Sequence, residues 1–87
     1  MLILTRRRNE CILLQFPTGS ETLEVMSRNK VRIGKDIFHI EPGNHIERGG
    51  LDILCKSWRG GQMKLGFTGP EEIKIIRTEL LLSLIHI

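Results

Sequence analysis

The sequence has no tyrosine, one tryptophan and three phenylalanines, and only two of its 87 residues are cysteine. Cys11 and Cys55 are too few for the disulfide framework of a small secreted scaffold, and neither belongs to a CxxC pair with metal-ligand spacing. The expected setting is therefore a reducing cytoplasm. Long apolar runs are missing too: the most apolar stretch, residues 80–87, is well short of the ~20 residues that a membrane-spanning helix needs. A secretory signal would put positive charge ahead of an apolar run, whereas here Met1-Leu2-Ile3-Leu4 comes first and Arg6-Arg7-Arg8 follows. Charge of one sign is scarce as well. Thirteen Lys and Arg against ten Asp and Glu give a net +3, which favours polyanions without the charge density of a histone-like chain.

Two independent cores are excluded by length, since 10.0 kDa with 40% hydrophobic residues makes one small domain. Such a chain buries only roughly 60–65% of its unfolded surface, so a disulfide, a metal or a partner subunit is expected to supplement its stability. Short apolar, β-branched runs separated by Gly, Asn and Pro dominate, and almost no stretch keeps helical spacing beyond two turns. A mainly β fold follows. Strands are expected near residues 2–7, 10–16, 51–58, 62–67 and 71–77, with further candidates at 21–26 and 30–41. Leu51, Ile53 and Cys55 make one apolar face, as do Met63, Leu65 and Phe67, and Arg59-Gly60-Gly61 joins these two strands as a hairpin. Gly69-Pro70 turns the chain into the last strand, where Ile73, Ile75 and Arg77 share one side.

Residues 17–50 read as an ordered, β-rich insertion within a single domain spanning residues 1–81. The segment carries a weak internal echo, because Leu23-Glu24-Val25-Met26 and Lys30-Val31-Arg32-Ile33-Gly34 resemble Leu51-Asp52-Ile53-Leu54 and Gln62-Met63-Lys64-Leu65-Gly66. Either copy serves as a central hairpin when taken alone. Residues 82–87 are what the codons CTG TCT CTT ATA CAC ATC encode, the opening of a common transposase adapter, so they are read as a non-native tail.

The opening Met1-Leu2-Ile3-Leu4-Thr5-Arg6-Arg7 with Glu10 resembles the start of the carbon storage regulator family of bacterial RNA-binding proteins. The closing half is similar to that family as well: a Gln62-Met63-Lys64-Leu65-Gly66 strand, the Gly69-Pro70 turn, then Glu72-Ile73-Lys74-Ile75-Ile76-Arg77. The resemblance covers about residues 1–16 and 51–80. It implies a small five-stranded antiparallel fold with a short or truncated C-terminal helix. It also implies an interlocked homodimer, in which the first and last strands of one chain join the central strands of the other. By the same resemblance the protein binds GGA-containing hairpin loops in mRNA leaders, modulates translation or mRNA stability, and uses no cofactor and no catalysis. The RNA-binding positions carried over are Leu4, Thr5, Arg6 and Arg7 on the first strand, Gly69 and Pro70 in the turn, and Arg77 at the end of the last strand. Expected partners are mRNA, small regulatory RNA, a second copy of the chain and a protein antagonist, with no membrane and no DNA. Departures are Asn9, Ile76 and Thr78, where the family usually has Gly, His and Glu, together with the insertion.

The residues support an RNA reading on their own terms, because splayed bases offer edges that sheet-edge backbone and Arg side chains engage. A guanidinium contacts a guanine edge or a phosphate in a way Lys does not reproduce. Other readings carry less. Trp58 sits at a hairpin end, where packing outweighs base stacking. Cys11, Cys55, His39 and His45 lack the local pairs of a zinc site, and Glu71 and Glu72, as strand neighbours, point to opposite faces. Lys30, Arg32 and Lys35 either extend a basic surface or simply solvate a hairpin. No nucleophile–base pair or phosphate-cradling loop appears, since Gly49-Gly50 and Gly60-Gly61 read as turns. The alternative to an RNA regulator is a diverged relative acting as a protein-interaction or heterodimerising module.

Overall fold

The computed structural model describes residues 1–78. Nine strands follow in order: β1 (Leu2–Arg7), β2 (Cys11–Phe16), β3 (Gly19–Ser27), β4 (Lys30–Ile33), β5 (Asp36–His39), β6 (His45–Arg48), β7 (Leu51–Arg59), β8 (Gln62–Thr68) and β9 (Lys74–Arg77). They form two antiparallel sheets, β1-β8-β7-β6 and β5-β4-β3-β2-β9. The chain is thus mainly β, as expected, and the insertion itself is built of strands. Alternation makes the core. Ile12 and Leu14 of β2, Leu23 and Val25 of β3, and Ile53 and Cys55 of β7 are fully buried, and all belong to one hydrophobic cluster shared by both sheets.

Three boundaries differ from expectation. The run 30–41 is not one strand but two, because Gly34 takes a left-handed φ of 61° and folds Asp36 back opposite Ile33. Residues 45–48 form a strand that their polar composition concealed. Glu71 and Glu72 are exposed turn residues, since the Ile73 N–H bonds the Pro70 carbonyl at 3.1 Å and delays the last strand to Lys74. The expected C-terminal helix and non-native tail lie outside the described residues.

The pairing registers expose a repeat. In β1–β8, Leu2, Ile3, Leu4 and Thr5 face Phe67, Gly66, Leu65 and Lys64; in β5–β4, Asp36, Ile37, Phe38 and His39 face Ile33, Arg32, Val31 and Lys30. Each residue of one set stands 34 positions from its counterpart in the other, as Leu4 does from Phe38 and Val31 from Leu65. The bulge between Val25 and Ser27 recurs between Cys55 and Ser57. Turn bonds recur as well: Asn9 N–H to Val25 O at 2.7 Å matches Gly43 N–H to Cys55 O at 2.8 Å. Asn9 and Gly43 both have positive φ, 70° and 94°, and Asn is the residue other than Gly that best tolerates this region.

The unit β1-β2-β3-β4 is therefore repeated as β5-β6-β7-β8, and the two units exchange their first strands: β1 seats on β8, and β5 seats on β4. The extra strand β9 seats on β2. Its counterpart on β6 does not exist among the described residues, so β6 is a sheet edge. The strand exchange that the family resemblance puts between two chains is made here within one.

Candidate nucleic-acid interface

β1 and β9 are edge strands of different sheets, and the fold brings them alongside each other. Near the start of β1, Met1 and Leu2 line a surface hollow with Gly69, Pro70, Ile73 and Ile75. At its other end, the Cys11 carbonyl accepts both Arg6 Nη1 and Thr78 Oγ1, each at 3.3 Å. The two strands therefore run in the same direction along a seam between the sheets, and all seven positions carried over from the resemblance lie along it.

Alternation sorts their side chains. Leu4 and Arg6 face inward, buried at 8% and 6% exposure, while Thr5 and Arg7 face out. Arg6 also donates Nε to the Thr5 carbonyl at 3.0 Å, and Glu10 Oε1 lies 3.9 Å from that nitrogen. A buried guanidinium is costly unless its donors are met, so these contacts fix its position. Glu10 has a second task, accepting the Arg7 backbone N–H at 2.7 Å across the turn. On the other strand Arg77 pairs with Ile12 and so points to the same side as Ile12 and Ile75, toward the seam, where it is exposed. Gly69 lies so close to Leu51 that an added Cβ would come within 3.1 Å of its Cδ1.

Sequence reasoning missed the floor beside Arg7. Thr5, Ser57, Arg59, Gln62 and Lys64 line a shallow hollow on the outer face of the four-stranded sheet. Two of these are cations, and Thr5 and Lys64 are paired across β1 and β8. The alternating pattern could have revealed them, because Gln62 and Lys64 alternate with the buried Met63 and Leu65.

The remaining candidates separate. Trp58 is half-buried and packs on the core. Cys55 is fully buried and Cys11 half-buried, and burial pushes both thiols up from their ordinary values. His45 is exposed and bonds Asp52 at 2.9 Å, and among the described residues no three His, Cys, Asp or Glu gather to hold a metal ion. Arg32 is paired with Glu24. No helix among the described residues is long and apolar enough to cross a membrane.

Compared with models of protein families, curated proteins and solved structures, the chain matched none. The internal repeat supplies its own comparison. At the positions equivalent to Thr5, Arg6 and Arg7 stand His39, Ile40 and Glu41, and at the position equivalent to Leu14 stands Arg48. Arg48 bonds Glu21 at 2.8 Å and Asp36 at 2.7 Å and lies over the Phe38 ring, clipping β6 to the other sheet. Its guanidinium holds the Glu21 carboxyl below the usual carboxylate range. The second unit thus has an acidic residue and a buried isoleucine where the first has its arginines.

Proposed function

We propose that this protein is a post-transcriptional regulator of the carbon storage regulator type, binding GGA-containing hairpin loops of mRNA leaders and thereby modulating translation or mRNA stability. What supports the reading is that β1, which carries Arg6 and Arg7, and β9, which ends in Arg77, come from opposite ends of the chain and meet at the Cys11 carbonyl, the shared acceptor of Arg6 and Thr78. β1 and β9 are edge strands, each without a further strand beside it among the described residues, and backbone groups along such edges suit base edges in a single-stranded loop. The guanidinium of Arg77 contacts a guanine edge or a phosphate, and Arg59 and Lys64 beside Thr5 hold the flanking backbone. Messenger RNA and small regulatory RNA presenting the same loop are the partners, in the cytoplasm.

The test is a titration, at fixed moderate salt, of a fluorescent hairpin RNA with GGA in its loop against the same hairpin with CCA. Preference for GGA of tenfold or more is expected, with Arg77→Ala losing about 1–3 kcal/mol of that binding. Equal, weak binding of both hairpins would overturn the reading and direct attention to a protein partner.

A further inference from the structure

Three features bear on how many chains and how many RNA sites make the working unit. First, every strand that one repeat unit lends to the other is lent within the same chain: β1 to β8, β5 to β4 and β9 to β2. Both sheets pack around one core, and the radius of gyration of 12.4 Å is that of a compact single chain of this length, about 12 Å. Second, the sheet edge at β6, equivalent to the β2 edge that receives β9, is only four residues long and ends in Glu47 and Arg48. Arg48 is already engaged by Glu21 and Asp36. A short, charged and pinned edge discourages pairing with a strand of another chain.

Third, the two pseudo-equivalent seams differ in chemistry. The seam between β1 and β9 has Arg6, Arg7 and Arg77. The seam at β5 and β6 has Ile40 and Glu41 and, among the described residues, no partner strand; it keeps Lys30 beside His39, as Lys64 stands beside Thr5, but has neither seam arginine and places a carboxylate where the phosphate or guanine would lie.

We propose that one chain is the complete binding unit: a monomer with a single RNA site at the β1–β9 seam, whose counterpart at β5–β6 has been lost. The RNA half of this inference rests on the function proposed above; the single-chain half does not. A unit with one site binds one hairpin loop at a time. It therefore cannot bridge two GGA motifs on one transcript, and gains no avidity from a second motif.

Light scattering on the full chain, followed by native mass spectrometry with the GGA hairpin, reads both halves. The expected results are a mass of one 10.0 kDa chain across a hundredfold concentration range, and one RNA per chain. An RNA with two GGA hairpins should recruit two chains, each with the affinity of the single-hairpin complex. Arg7→Ala should weaken binding at least tenfold, while Glu41→Ala at the opposite seam should change it less than twofold. A dimer would overturn the single-chain unit, and two RNAs per monomer would overturn the lost site. A monomer that binds neither hairpin would overturn the RNA site together with the proposed function, while leaving the single-chain unit standing.

Discussion

At the scale of single residues, Arg6 is the least economical choice in the chain. Its guanidinium is buried at 6% exposure, held by the Thr5 and Cys11 carbonyls and near Glu10. The equivalent position in the second unit is Ile40, fully buried and apolar. The second unit packs an isoleucine at the equivalent place, so this position in the fold does not by itself demand arginine. Arg6→Ile removes the donors that the Thr5 and Cys11 carbonyls accept and is expected to cost about 1–3 kcal/mol of stability while weakening binding of the GGA hairpin at least tenfold. Thermal melting and the RNA titration, run on the same preparation, check both parts. A large loss of stability with unchanged RNA affinity would mean that Arg6 is a structural clamp.

At the scale of elements, the decisive feature is the two-residue turn Gly34-Lys35. It is too short to let β5 go anywhere but back along β4, which occupies the β4 edge and leaves β1 to seat on β8. Gly34 makes the turn possible: its φ of 61° is unfavourable for other residues, and an added Cβ would lie 2.7 Å from Glu21 Oε2, the oxygen that Arg48 grips. Gly34→Ala should therefore cost about 1–2 kcal/mol through backbone strain and a loosened Arg48 clip, a fall in Tm of about 5–15 °C. Unchanged melting would show that the turn tolerates a side chain and is not what fixes the exchange. Much of this level was legible beforehand. Alternation gave the strands at β1, β2, β7 and β8. The repeat was seen only as an echo, aligned two residues out: Leu23 is equivalent to Ile53, not Leu51. A slip of two keeps every side chain on the same face, so the hydrophobic pattern cannot correct it. β6 was invisible because the side that faces the other sheet carries Ile46 and a charged residue, Arg48, instead of two apolar ones. The exchange was invisible because the β1–β8 pairing partners stand 55 to 65 residues apart and leave no local signal; Thr5 and Lys64 are simply two polar residues until the register is known.

At the scale of the molecule, the exchange determines how stability is shared. The four-stranded sheet takes β1 from the first unit, and the five-stranded sheet takes β5 and β9 from beyond it, so neither unit owns a finished sheet. The buried residues of both form one cluster. An unexchanged arrangement uses the same strands, because Val31 and Leu65 are equivalent partners for Leu4, and it would let the two units melt separately. The two cases differ in an observable. Trp58, half-buried on β7 and packed against the core, reports on the four-stranded sheet, whereas far-UV circular dichroism reports on every strand. With the strands exchanged, urea should unfold both signals along one superimposable curve with a single slope of about 1 kcal/mol/M. Refolding should fall in the millisecond-to-second range of β proteins dominated by distant pairings. If tryptophan fluorescence instead changes at a different urea concentration from the circular dichroism, the units are separable and the exchange does not bind them. Coincidence would mean that a substitution at the Gly34 turn weakens the RNA seam as well, although Gly34 belongs to neither strand of that seam, because the strand it displaces is the one that leaves β8 for β1.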